Sequence, residues 1–170
     1  MRWHTVNVRT ISVNGGNAVP SQGRARDALG MTDAANRQWI YRSRPDDRLA
    51  PEHFEWRTAP RPKPAPGEVL VRVQALSVDP SQRVWMAGPS YRPMLLPGEV
   101  MASYAVGQVI ASQSPDFTPG DRVEGDLGWQ DYACRSASAL RRRDPARPLE
   151  QLVGVLGITG ATAHVGLFDI

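Results

Sequence analysis

The sequence predicts a mainly β chain built around a small barrel or sandwich. Residues 105–133 carry most of that expectation, because they read as strand, turn, strand, loop, strand. Small and apolar residues at 105–112 make a run short enough for a buried strand. Pro119-Gly120 suits a tight turn, with proline presetting the first central φ and glycine taking the positive φ that follows. Residues 121–124 start the return strand, and 128–132 open another. The second observation is the run VLVRVQAL at 69–76. Val69, Val71, Val73 and Ala75 share one face there, with Arg72 and Gln74 on the other. The third is punctuation: short strands separated by glycine and proline are the pattern of small all-β folds.

Taken in order, residues 1–35 are expected to be a disordered tail, rich in Asn, Gly, Ser and Arg. A secretory signal requires an apolar stretch of about 7–15 residues, and none is expected here. A sharper alternative is that Met31 is the natural start, since ordered patterning begins only at Gln38. Residues 38–43 and 54–58 are expected to pair as strands. In the second, Phe54, Trp56 and Thr58 alternate with Glu55 and Arg57, leaving one face wet. His53 sits alone on the charged loop between them. APRPKPAP at 59–66 has proline at alternate positions, which suits an extended spacer rather than a central strand.

Asp79-Pro80 favours turn initiation, because the residue before proline is kept out of the α region. Residues 85–97 are expected to form a mixed loop. Arg141, Arg142 and Arg143, followed by Asp144, suit a solvated strand end better than a nucleic-acid patch. At Leu149 the period changes. Leu149, Leu152, Val153 and Leu156 fall at i, i+3, i+4 and i+7, an amphipathic helix. Gly157 and Gly160 are expected to interrupt it, and 161–168 to resume as a helix with Ala161, Val165 and Phe168 on one side. No following element covers that face.

The bulk properties restrict the function classes. A chain of 170 residues can bury one core and still carry tails. Arg2, Arg9, Arg24 and Arg26, set against Asp27, account for the whole net charge of +3. The remaining residues balance, so no nucleic-acid partner is expected. No apolar run approaches the roughly 20 residues of a membrane span, so no membrane partner is expected. The single Cys134 leaves no internal disulfide and no multi-cysteine zinc site, which fits a cytoplasmic location. Gly154, Gly157, Gly160 and Gly166 do not match a phosphate-binding loop. His4, His53 and His164 are far apart, and no serine has a nucleophile-elbow context. Cys134 has no adjacent base and is expected to pack in a strand. These residues alone describe a β-rich domain without assigned activity.

A resemblance adds to that reading. NRQWIYRSRP, PGEVLVRVQALSVDP, PGEVMASYAVGQVIASQSPDFTPGDRV, GWQDYA and GVLGITGATAHVGLFDI occur in that order. With these motifs residues 36–170 resemble the N-terminal half of the medium-chain dehydrogenase/reductase superfamily. The branch resembled is the zinc-independent, NADP-dependent one of prostaglandin reductases, leukotriene dehydrogenase-like enzymes and alkenal/curcumin reductases. The resemblance implies a GroES-like barrel at 36–148 and a helical segment at 149–170 leading to a cofactor-binding Rossmann domain that lies outside this chain. NADP(H) is the implied cofactor, held in the cleft between the two domains.

The departures refine the expectation. Zinc-dependent relatives place histidine before the glutamate corresponding to Glu99, where this chain has Gly98, and the cysteine ligands are missing; zinc is not expected. Ser81 replaces a common aromatic after Asp79-Pro80, while Arg83 keeps the basic position. The family's Gly-Leu-Thr-Ala-Tyr motif stands here as Gly160-Ala161-Thr162-Ala163-His164. Gly160 and Thr162 are therefore the expected cofactor-facing residues, and Asp79, Arg83 and His164 the substrate-cleft candidates. A helix-start cap is the competing role for Thr162. No catalytic residue is assigned. The implied activity is reduction of an activated C=C or C=O of a small molecule by a truncated or split enzyme with a Rossmann partner chain. The alternative is a non-catalytic barrel, a relic or protein-interaction module.

Overall fold

A computed structural model describes residues 35–168 of the chain. The expected tail, the Met31 start and the last two residues lie outside that range. The described part is all antiparallel in its strands. β1 (Asn36–Tyr41) pairs with β2 (Phe54–Ala59) in a hairpin that sets Trp39 opposite Trp56. The remaining strands are β3 (Glu68–Leu76), β4 (Tyr104–Ser112), β5 (Arg122–Asp126), β6 (Tyr132–Ser136) and β7 (Arg141–Arg142). They form one sheet in the order β6-β3-β4-β5-β7. Single bridges from Gln38 to Gln130 and from Ile40 to Val100 carry β1 to the segments on either side of it.

The core follows the strand patterns. Val69, Val71, Val109, Val123 and Leu127 are almost fully buried and make one cluster. Tyr41, Trp85, Met86, Leu95 and Met101 make a second under β1. Close approach of β3 to β4 requires glycine at 107, where a Cβ would lie 2.4 Å from the Arg72 carbonyl oxygen. The Pro119-Gly120 turn forms as expected: Gly120 has φ +101° and Asp121 N–H donates to Thr118 O at 3.1 Å.

Several elements differ from the sequence expectation. A helix, α1 (Ser81–Ala87), runs into the start of the expected loop at 85–97. Asp79 and Pro80 carbonyls accept the N–H groups of Gln82 and Arg83, and Gln82, Trp85 and Met86 are buried at i, i+3 and i+4. Seven residues give too short a period to stand out. β1 starts two residues early because the Asn36 amide bonds both backbone groups of Tyr132 on β6. Residues 128–131 do not open a strand of the sheet. Gly128 has φ +73°, and this segment pairs with β1 before β6 begins. The expected apolar face of β2 is largely wet, with Trp56 51% exposed, since β2 is an edge strand.

The C-terminal helices also depart. α2 (Leu149–Val153) is one turn long and buries Leu152, while Leu156 is 46% exposed beyond it. α3 (Ile158–Phe168) runs straight through Gly160 rather than starting after it. None of its residues is buried. The expectation of an uncovered apolar face at Ala161, Val165 and Phe168 is met.

Candidate cofactor and substrate cleft

The end of β3 turns sharply at Ser77-Val78-Asp79-Pro80, and short hydrogen bonds hold the turn. Ser77 N–H donates to Tyr104 O at 2.8 Å, and Ser103 Oγ donates back to Ser77 O at 2.6 Å. Gln82 is the centre of this network. It is only 5% exposed, and its Nε2 donates to both Ser77 O and Ala102 O at 3.1 Å. Its Oε1 accepts the Asp79 N–H at 3.2 Å. A buried amide with every bond made fixes the β3–α1 turn against β4.

Asp79 and Arg83, both expected at the cleft, are engaged locally. The Asp79 carboxylate accepts the Ser77 hydroxyl at 2.7 Å and the Ser81 hydroxyl at 3.4 Å. The Arg83 guanidinium donates to Pro45 O at 2.8 Å.

On α3, Gly160 has a steric role. A Cβ there would lie 1.8 Å from the Val155 carbonyl oxygen. Thr162 is not a helix-start cap: it is well inside α3, and its hydroxyl donates to Ile158 O at 2.8 Å. His164 is exposed, its ring centroid 4.9 Å from that of Phe168.

Two cavities open among the described residues, and the smaller adjoins these elements. A notch of about 210 Å³ opens between the sheet and the α2–α3 segment, lined by Ser77 and Tyr104 on one side and Ile158 and Ala161 on the other. Through Ser77 and Ala161 it brings the Asp79 turn and α3 to one place, although none of the five predicted residues lines it. Glu124, 9% exposed, sits in this notch and ion-pairs with Arg143. That hydrogen bond holds the Arg143 guanidinium above its ordinary pKa, against the opposing effect of burial.

The larger cavity, about 460 Å³, falls in the size range of small-molecule sites. Asn36, Gln38 and Gln130 form its polar wall, joined by amide hydrogen bonds of 3.2 and 2.9 Å to Gln130 Oε1. Arg92 forms its rim, paired with Asp126 at 2.6 Å and lying 4.4 Å from the Trp85 ring. Cys134 also faces this space; burial pushes its thiol pKa up, so the inert reading of this cysteine fits. Sequence reasoning missed Gln82, Arg92, Asp126 and Gln130. Only Gln82 left a signal, its i, i+3, i+4 spacing with Trp85 and Met86. No helix among the described residues is long and apolar enough to cross a membrane.

Comparison with known proteins places this architecture. A family model described as the N-terminal domain of oxidoreductase matches residues 37–142. The NADPH-dependent curcumin reductase of Escherichia coli (strain K12) is 40% identical over 145 residues, covering 84% of this chain and 42% of that protein. Prostaglandin reductase 1 of Rattus norvegicus is 35% identical over 123 residues, covering 69% and 35% respectively. The crystal structure of CurA from Vibrio vulnificus in complex with NADPH superposes with a TM-score of 0.72 at 36% identity. That match covers 79% of this chain and 40% of the other. The chain thus spans about two fifths of the length of the relatives it matches, and its mainly β architecture is the GroES-like fold of an N-terminal oxidoreductase domain. It belongs to the family of the N-terminal domain of oxidoreductase, in the zinc-independent curcumin, alkenal and prostaglandin reductase branch of the medium-chain dehydrogenases/reductases.

Proposed function

We propose that this chain forms the barrel side of an NADP-dependent oxidoreductase acting on an activated C=C or C=O of a small molecule, of enone, alkenal or quinone type. In this reading residues 36–148 are the barrel, and 149–170 lead toward a Rossmann domain that supplies the rest of the cofactor site. The observation that carries it is α3. The helix has no Asp, Glu, Lys or Arg and buries none of its residues, with Val165, Leu167 and Phe168 at 45%, 76% and 74% exposure. A helix with no charged side chain and this much exposed apolar surface is stable when covered, and a second domain across a cleft covers it. Relatives named for NADPH-dependent reduction support the chemistry.

The residues present fit the nicotinamide end of NADP(H). Thr162 spends its hydroxyl hydrogen on Ile158, which leaves its oxygen lone pairs free to accept an amide N–H. When bound, NADPH supplies the hydride. The chain's own contribution is positional: Gln82 and Ser103 hold the Asp79 turn rigid, α3 offers Thr162 and His164, and the apolar flank of Ile158 and Val165 excludes water once covered. The described residues offer no phosphate cradle, so the pyrophosphate belongs to the partner domain. The reduction runs without zinc, in the cytoplasm, where Cys134 stays a free thiol. Mixing the chain with the Rossmann domain of a related reductase is expected to produce enone-dependent NADPH oxidation, followed as loss of NADPH absorbance, that neither component shows alone. Failure to bind or oxidise NADPH in either condition overturns the proposal in favour of a non-catalytic barrel.

A further inference from the structure

The notch beside α2 and α3 is lined by residues of two chemistries. One is apolar, made of Val106, Leu152, Leu156 and Ala161. The other holds Arg141 and Arg143. Arg143 commits one terminal nitrogen to Glu124, yet its Nε is buried without any hydrogen-bond partner. That nitrogen is closed to a ligand, whereas the second terminal nitrogen makes no hydrogen bond among the described residues and is the donor an acceptor oxygen can reach. Among the described residues, Arg141 makes no ion pair and its side chain no hydrogen bond. Glu124 offsets one of the two guanidinium charges, and one positive charge remains.

We propose that the notch binds a small monocarboxylate with a compact apolar body, an aryl or short alkyl acid. The carboxylate lies between Arg141 and the unbonded terminal nitrogen of Arg143, where guanidinium donors match its two oxygens. The body rests on Leu152, Leu156 and Ala161. A cavity of about 150 Å³ lined by apolar side chains accepts benzene, so 210 Å³ holds a phenyl ring and its carboxylate. A dicarboxylate is disfavoured because its second charge would meet the apolar wall. The site follows from these side chains alone and stands whether or not the reductase reading does.

Titration of the full chain with benzoate, benzyl alcohol and acetate, followed by amide chemical shifts, tests the proposal. Benzoate is expected to saturate with shifts at Val106, Leu152 and Ala161, and to bind at least about tenfold more tightly than the alcohol, which lacks the charge, or acetate, which lacks the ring. Arg141 is exposed on a two-residue edge strand, so R141Q folds and is expected to weaken benzoate about tenfold, while R141K, keeping the charge without the planar fork, recovers only part of that loss. Four outcomes overturn the proposal. They are no saturation by about 10 mM, equal affinity for benzyl alcohol, equal affinity for acetate, or an R141Q variant that binds like the parent.

Discussion

Replacing Gly160 by alanine separates two explanations of the same residue. Family resemblance assigns Gly160 to the cofactor; the structure gives it a steric role, packed inside α3 against the Val155 backbone of the preceding turn. A Cβ at 160 would stand 1.8 Å from the Val155 carbonyl oxygen, 2.5 Å from its carbon and 2.9 Å from its Cα. Reaching the 3.0 Å floor of real contacts requires a shift of about 1.2 Å, and every atom in the way is backbone. The 154–157 turn must therefore open, at the expense of Gly157 N–H to Gly154 O (3.0 Å) and Ala161 N–H to Gly157 O (3.1 Å). Two such bonds are worth about 1 kcal/mol each, and overpacking adds about 1–3 kcal/mol. Against this stands the gain of about 1 kcal/mol from removing glycine from a helix. The balance is a loss of about 2–4 kcal/mol, confined to α3 because that helix buries none of its residues. The expected result for G160A is faster amide exchange across 155–168 and reduced helical dichroism, with the barrel's unfolding midpoint little changed and no NADPH present. A G160A chain with a more protected α3 refutes the steric account, and an effect seen only with NADPH restores the cofactor role.

Two further predictions address the barrel. Q82A leaves Ser77 O, Ala102 O and Asp79 N–H without their buried partner, and urea unfolding is expected to show a loss of about 2–4 kcal/mol; a change below about 0.5 kcal/mol removes Gln82 from the centre of the turn network. The Asp121 carboxyl is held below its ordinary value, chiefly by the Thr118 backbone N–H and further by Arg142, against some desolvation. A lowered folded pKa stabilises the fold fully above the unfolded carboxylate value of about 3.9, and that contribution disappears as pH falls through the folded value. D121N is therefore expected to flatten the acid limb of the stability–pH curve below about pH 4; an unchanged slope refutes the assignment.

The strands were legible because their side-chain pattern is local. Val69, Val71 and Val73 alternate with polar neighbours, and Pro119-Gly120 carries its own turn chemistry. The apolar face of α3 was also legible, since Ala161, Val165 and Phe168 recur at helical spacing. Three features were not. α1 gave a single i, i+3, i+4 set, too short to distinguish from a loop. Trp56 looked like a core residue because alternation does not reveal an edge strand. Gly160 looked like a break or a ligand contact, because the Val155 carbonyl that excludes a side chain is positioned only by the fold of the turn.

The chain order of apolar and turn residues determined the β class, most strand positions and, through ordered motifs, the reductase family. Those properties depend on residues a few positions apart, where backbone geometry is stereotyped. Tertiary structure alone decided the groupings that make the sites: Asn36 with Tyr132, Gln82 with Ala102, Glu124 with Arg143, and Arg141 lining one notch with Leu152. These groupings join residues 11 to 96 positions apart. Neither residue of a pair identifies the other in sequence, because their distance is set by sheet order and register rather than by local period.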